Sequence, residues 1–315
     1  MKQFCFGVDI GGTSVKIGLF ETDGTLVAKS QIPTRTEEGG GKILPDVAAE
    51  LKRLCEAQLI SAEQVVGVGV GVPGPVSKQG IVHGCVNLGW GEYNAVEEMN
   101  RLTGWKVSAG NDANVAALGE QWLGAGRAYQ SIVMVTLGTG VGGGIVYEGK
   151  ILPGSHGAAG EIGHMAVLTE DSHYTCGCGK HDCLELASSA NGLVRMAQDV
   201  LHESDAPSAM RELSPLTAKD ICDLAVKGDT LALKAVGITT DRLGAMMANA
   251  ACVVDPEAFV IGGGMAAASK LLFPLIEESY NKRVFPNLKG LPIVAAELGN
   301  DAGICGAARM VLTEL

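Results

Sequence analysis

The sequence predicts an α/β protein built on a duplicated supersecondary unit, and three observations carry that expectation. A strand, glycine turn, strand, polar turn and strand run from Phe4 to Ala28, and the same pattern returns from Ser131 to Leu152. Helical segments with a 3.6-residue apolar period follow each copy. The chain holds 44 glycines among 315 residues with only 4% aromatic side chains, which suits tight turns and closely packed helices. A single core is not expected at this length, and two domains of roughly 100–200 residues each are.

The elements follow in order. The first copy places a strand in Phe-Cys-Phe-Gly-Val-Asp-Ile, a turn at Gly11-Gly12-Thr13, a second strand, a hairpin at Asp23-Gly24 and a third strand. An amphipathic helix spans Leu44 to Leu59, and the β-branched alternation of Val-Val-Gly-Val-Gly-Val-Gly-Val reads as the next strand. Trp105–Gly110 is a strand that ends at Asn111-Asp112-Ala113-Asn114, where a helix begins. After the second copy and a cysteine-rich insert, helices are expected over Ala187–Leu201, Ala218–Val226 and Leu231–Val253. They lead to the strand Ala258–Ile261 and a glycine turn at Gly262-Gly263-Gly264, and a last helix covers Asp301 to Leu312. The Ser/Pro/Asp-rich stretch Glu203–Pro215 reads as a surface loop. The expected domains are residues 1–110 closed by 301–315, and residues 111–300.

Composition excludes several classes of function. A formal charge of −11 without a basic cluster argues against nucleic acid and anionic membrane surfaces. No apolar run reaches the ~18 residues that span a bilayer. The opening residues enter a strand without a signal-peptide pattern, and nine cysteines then read as reduced thiols of a cytoplasmic protein.

Three constellations carry chemistry. A tight Gly/Thr turn between strands aims several backbone N–H groups at one point and forms a nest for phosphate oxygens. One such turn comprises Gly11, Gly12 and Thr13, with Lys16 adding a cation and Asp9 a carboxylate able to hold Mg²⁺ through water. The other comprises Thr136, Gly138, Thr139 and Gly140. A single glycine-rich hairpin is better explained as a plain tight turn, but two in register favour a polyphosphate ligand. Gly138–Gly143 formally matches the dinucleotide pattern G-x-G-x-x-G, yet that pattern must open a helix, and Ile145-Val146-Tyr147 continues as strand. The second constellation is Asn111 and Asp112 at the end of a strand. One of the two caps the helix; Asp112 could equally serve as a general base for a hydroxyl that attacks phosphorus. The third lies between Glu161 and Glu185. Cys176, Cys178 and Cys183 with one imidazole fit a tetrahedral structural zinc site. His164 is the imidazole expected here, a choice that leans partly on the resemblance given below; His173 and His181 compete for the place, and reduced thiols without metal are the alternative. All four positions would be filled by protein, leaving no place for an activated water, and the bracketing carboxylates would be held rigidly.

Asp9–Thr13, Val72-Pro-Gly-Pro-Val76, Asn87-Leu-Gly-Trp90, Asn111–Asn114, Thr136–Gly140, and Ala-Gly-Glu-Ile-Gly-His followed by Cys-Gly-Cys-Gly-x-x-x-Cys-Leu-Glu resemble the ROK family (repressors, open reading frames and sugar kinases) of the actin-like ATPase superfamily. The match runs in order over essentially the whole chain. It implies two actin-like, ribonuclease H-like domains with a duplicated βββαβαβα unit and an interdomain cleft for ATP and a hexose. It also implies phosphoryl transfer to the sugar 6-hydroxyl, with glucose as the first reading of the sugar, Asp112 as general base and Asn111, Glu161, His164 and Glu185 on sugar hydroxyls. His164 would serve zinc and sugar through its two ring nitrogens. Gly74 and Asn87 look like sugar-side positions and Gly263-Gly264 like an adenosine shelf. A homodimer is implied as well. Asp182 stands where the family usually has glycine. An N-acetylmannosamine, fructose or allose kinase is the other enzymatic reading. A sugar-sensing repressor-type domain is the non-enzymatic one, disfavoured because the first phosphate strand begins at Gln3 without room for a DNA-binding module.

Overall fold

Alternating apolar residues in the first repeat form three antiparallel strands, β1 (Phe4–Ile10), β2 (Ser14–Glu21) and β3 (Leu26–Pro33). The structure, a computed structural model, describes residues 2–77, 79–168 and 172–313. Met1, Lys78, Glu314 and Leu315 of the expected first domain therefore lie outside the described residues. There follow α1 (Ile43–Ala57), β4 (Val65–Val72), a hairpin of β5 (Ile81–Cys85) and β6 (Trp90–Asn94), α2 (Ala95–Thr103), β7 (Val107–Asn111) and α3 (Asp112–Leu123). The second repeat supplies β8 (Ile132–Leu137), β9 (Val141–Tyr147) and β10 (Lys150–Ile151). Beyond the cysteine-rich insert come α4 (Glu185–Ser188), α5 (Ala190–His202), α6 (Ala218–Val226), α7 (Thr230–Val254), β11 (Ala258–Gly262), α8 (Ser269–Arg283), β12 (Ile293–Ala295) and α9 (Ala302–Thr313).

The duplication is visible in the sheets. The first has the order β3-β2-β1-β4-β7 and the second β10-β9-β8-β11-β12. In both, the three repeat strands stand third, second, first, and two later strands follow. β4 pairs parallel to β1 and β7, and β11 parallel to β12. β9 is strand throughout, as expected, so the G-x-G-x-x-G pattern at Gly138–Gly143 does not open a helix.

The chain divides into two compact units, one of Met1–Ile132, Gly144–Gly160 and Glu297–Leu315, the other of Val133–Gly143 and Glu161–Ala296. The boundary does not follow the expected 110/111 break, because α3 packs on α9 and stays with the first unit. A Cβ on Gly119 would stand 2.2 Å from the Ala302 carbonyl oxygen, and one on Gly306 would stand 1.7 Å from that of Val115. Only glycine lets these two backbones approach so closely.

In the first unit, Phe6, Val8, Ile17, Val68 and Val70 join Leu44, Leu51 and Met99 of α1 and α2 in the main core. The glycine face of the sheet is covered by α9. A Cβ on Gly69 would lie 1.7 Å from Ala307 O and one on Gly7 1.8 Å from Ile304 O. The fully buried Glu120 of α3 fixes the approach to α9, since its carboxylate accepts the N–H groups of Ala125, Glu297 and Leu298 at 2.8–3.1 Å.

In the second unit, α7 starts at Asp229, whose side chain accepts from Leu231 N and Ala232 N, and α6 starts in a capping box of Thr217 and Asp220. The helix expected over Ala187–Leu201 is two helices. Ser189 is extended between α4 and α5, and its hydroxyl caps α5 by accepting from Gly192 N at 2.9 Å.

Candidate active site

The first unit holds nine of the expected residues, Asp9, Gly11, Gly12, Thr13, Lys16, Gly74, Asn87, Asn111 and Asp112, most of them at the carboxyl ends of β1, β4 and β7. The turn after β1 closes by Gly11 N donating to Ser14 O at 3.0 Å. Thr34 fastens it from outside, its hydroxyl donating to Gly11 O at 2.6 Å and its N–H to Thr13 O at 3.1 Å. A Cβ on Gly12 would stand 3.8 Å from the Asn87 side chain, so the β5–β6 hairpin brings Asn87 to this turn. Asp9 lies opposite Lys16 in the β1–β2 register. Burial pushes the Asp9 carboxyl above its ordinary pKa and the Lys16 charge opposes this. Lys16 itself donates from Nζ to Asn300 O at 3.3 Å.

The choice of helix cap at Asn111 and Asp112 is resolved. Asn111 is the N-cap of α3, with Oδ1 accepting from Ala113 N at 3.1 Å and Asn114 N at 3.2 Å. Its Nδ2 donates to Gly74 O at 3.1 Å, tying together two residues expected on the sugar side. Gly74 adopts φ +93°, which suits glycine. Asp112 is the first helical residue, its Oδ1 accepting from Ala113 N at 2.8 Å. Its charge also reaches Cys85, whose thiol is raised chiefly by burial and further by Asp112.

The second unit holds the other glycine turn and a cavity of about 900 Å³ beside it. Gly138, Thr139 and Gly264 line this cavity, along with residues that the sequence reading did not single out, among them Cys222 and Val226 of α6 and Leu271 of α8. The turn closes through Gly138 N to Gly140 O at 3.0 Å. A Cβ on Gly138 or Gly264 would meet no protein atom within 4 Å, whereas one on Gly263 (φ +82°) would lie 2.4 Å from Leu137 O. Gly138 and Gly264 thus border open space, and Gly263 is required by close packing. Thr136 lies beneath the turn on β8, its methyl group 3.8 Å from where a Cβ on Gly262 would be. It does not line the cavity.

Glu185 joins this turn to the cysteine cluster. Its Oε2 accepts from Val141 N at 3.0 Å, and Oε1 stands 3.7 Å from Cys176 Sγ. A Cβ on Gly140 would lie 2.2 Å from that carboxylate. One ligand atom from each of His164, Cys176, Cys178 and Cys183 lies within 4.8 Å of the others. Cys178 and Cys183 sulfurs are 3.5 Å apart and His164 Nδ1 is 3.6 Å from Cys176 Sγ. Metal–ligand lengths of about 2.0–2.3 Å give tetrahedral edges of about 3.6–3.8 Å, so the donor set fits zinc. Burial raises the Cys176 thiol and pushes Cys183 up to about 12, while the Lys180 N–H holds Cys178 below its ordinary value. A divalent cation would supply the charge that favours thiolates here.

The ring of His164 points two ways, Nδ1 toward the sulfurs and Nε2 to within 3.9 Å of Glu161 Oε2. The competing imidazoles are engaged elsewhere. His181 Nδ1 donates to Tyr174 O at 2.8 Å, and His173 Nε2 lies 3.5 Å from Asp199. Asp182 is not in a left-handed conformation; Gly179, at φ +88°, makes that turn. Lys180 Nζ pairs with Asp182 at 3.2 Å and donates to His164 O at 3.1 Å.

The ROK family model matches residues 5–314. A glucokinase of Halalkalibacterium halodurans is 38% identical over 97% of this chain and 94% of its own. A ROK hexokinase structure from Thermus thermophilus superposes with a TM-score of 0.81 at 30% identity, covering 99% of both chains. A ROK glucokinase from Streptomyces griseus, solved with glucose and AMPPNP, has a TM-score of 0.74 at 30% identity over 98% of this chain and 99% of that one. The duplicated α/β architecture and the ordered site motifs meet in one conclusion: this chain belongs to the ROK family.

Proposed function

We propose that the protein transfers the γ-phosphoryl group of ATP to the 6-hydroxyl of a hexose, glucose in the first place. The observation that carries this reading is the cavity of about 900 Å³ framed by Gly138, Thr139 and Gly264, which is within the size range of cofactor pockets and begins at the turn whose glycines favour polyphosphate. The glucokinases and hexokinase that resemble the chain end to end support it.

In this reading Asp112 accepts the proton of the sugar hydroxyl as its oxygen bonds to phosphorus. The bond to the bridging oxygen breaks in line, and ADP leaves. Asn111 supplies the N-cap of α3, and the Asp112 carboxylate stands in the first turn, where it accepts from Ala113 N. Family resemblance supports Asn87, Gly74 and Asn111 of the first unit as sugar-side residues, and it supports Glu161, His164 and Glu185 of the second unit in the same role. The turns at Gly11–Thr13 and Gly138–Gly140 would receive phosphate oxygens. Asp9 would hold Mg²⁺ through water, and the ion supplies neutralisation of phosphate charge when bound. His164, Cys176, Cys178 and Cys183 would hold zinc as a structural element that fixes the second-unit sugar ligands. A cytoplasmic homodimer accompanies the reading on family resemblance; among the described residues no helix is long and apolar enough to cross a membrane.

The test is the initial rate of ADP formation against a panel of glucose, mannose, fructose, allose and N-acetylhexosamines. Glucose should give the highest kcat/KM. A preference for an N-acetylhexosamine would move the substrate and keep the chemistry, and no hexose-dependent turnover would refute the reading.

A further inference from the structure

The loop that carries the cysteines is fastened to the body of the second unit at a point where no metal ligand acts. Tyr174, two residues before Cys176, reaches across to α5. Its hydroxyl donates to Asp199 Oδ1 at 2.7 Å and lies 3.4 Å from Arg195 O. The Arg195 guanidinium sits 5.5 Å from the centre of the tyrosine ring, and the His173 ring packs on the ring at 4.0 Å. The ring also packs against the cluster of Cys176, Cys183 and Leu186. From the other side, His181 Nδ1 donates to Tyr174 O at 2.8 Å, so both arms of the loop meet at this residue. The acceptor is a charged carboxylate, which makes the phenol bond about twice as strong as a neutral one. Burial, followed by this bond, raises the phenol well above its ordinary pKa.

We propose that Tyr174 and Asp199 form a clamp, independent of metal, that holds the 172–183 loop on α5 and thereby positions His164, Glu161 and Glu185. Tyr174 is then a positioning residue for the second-unit sugar ligands. That last consequence rests on the proposed hexose kinase reading; the clamp itself does not. The loop is short and partly exposed, and its other bonds among the described residues lie mostly toward its second arm: Cys176 N to Lys180 O and Gly179 N to Cys176 O, both at 2.8 Å, Val167 N and Leu168 N to Asp182 O at 2.8 and 3.1 Å, Leu184 N to Met165 O at 2.9 Å, and Lys180 Nζ to His164 O at 3.1 Å. Such segments open locally without global unfolding, and an anchor outside the ligand set determines where the loop stands when it closes.

The experiment is hydrogen exchange at the amides of Cys176, Gly179 and Leu184 in full-length protein stripped of metal by a chelator, comparing the parent with Tyr174→Phe, Asp199→Asn and the double variant. Exchange at these amides should rise about tenfold or more in Tyr174→Phe while α7 keeps its protection, and the double variant should be no worse than either single, as expected of one shared bond. Exchange within about twofold of the parent would overturn the clamp. So would a parent whose loop loses all protection once metal is removed. For the positioning role, the glucose KM of metal-loaded Tyr174→Phe should rise about threefold or more, with the ATP KM within about twofold. Equal rises in both, or in neither, would overturn it. Exchange requires no sugar turnover, so a parent that phosphorylates no hexose would refute the kinase reading and leave the clamp to be judged on exchange alone.

Discussion

Gly138→Val separates a ligand-binding turn from a structural one. A Cβ at this position meets no protein atom within 4 Å, and Gly138 is not among the glycines with positive φ, so valine should be accommodated without strain. Stability should change by no more than about 1 kcal/mol, or roughly 2–4 °C in Tm for a domain of this size. The branched side chain would instead occupy the space beside Thr139 in the cavity. Losing one charge-assisted bond between a backbone N–H and phosphate costs about 1.5–3 kcal/mol, which is about 10- to 150-fold in affinity. The assay is paired KM measurements for ATP and glucose, with thermal melting of the same preparation. ATP KM should rise within that range while glucose KM and Tm stay near the parent values. Equal rises in both KM values, or a drop of about 10 °C in Tm, would show that the turn serves folding alone.

Other perturbations have equally definite outcomes. Asp112→Asn should lower kcat by about 100- to 10,000-fold and leave Tm within about 2 °C, since Asn111 makes the capping bonds; comparable turnover would remove Asp112 as the base. Cys178→Ser should release one equivalent of zinc by metal analysis and raise the KM for sugar far more than that for ATP, since a neutral hydroxyl poorly replaces a thiolate. A parent protein without zinc would refute the metal reading. Glu120→Ala would leave the N–H groups of Ala125, Glu297 and Leu298 without their buried acceptor, a loss of about 3 kcal/mol or more, and Tm should fall by about 6–12 °C in thermal melting.

The repeat, the two glycine turns and the His/Cys cluster were legible because they are local. Turn glycines, strand alternation and closely spaced cysteines all act within a few residues. The split between α4 and α5 was not, because Ser189 is a helix former in periodicity and a cap only in context. The β5–β6 hairpin, α2 and β12 were also not anticipated, although the Asn94 cap with Glu97 is a recognisable helix start. The role of Asn111 needed coordinates, since two adjacent residues have the same capping chemistry and only one can occupy the N-cap position. The cavity wall on α6 and α8 was invisible for a different reason. Cys222, Val226 and Leu271 look like ordinary apolar helix positions, and they line the cavity only because α6 and α8 converge on the turn after β8. The glycines of β1 and β4 lie in segments read as strands, and the close packing that requires them became explicit only with α9 in place.

The most direct test of the central claim is product identification: purified protein, ATP, Mg²⁺ and glucose, with glucose 6-phosphate measured against ADP formed. The proposed chemistry predicts one glucose 6-phosphate per ADP, formed about 100- to 10,000-fold more slowly by Asp112→Asn. Release of inorganic phosphate in place of the sugar phosphate, or ATP left intact with every hexose, would contradict it.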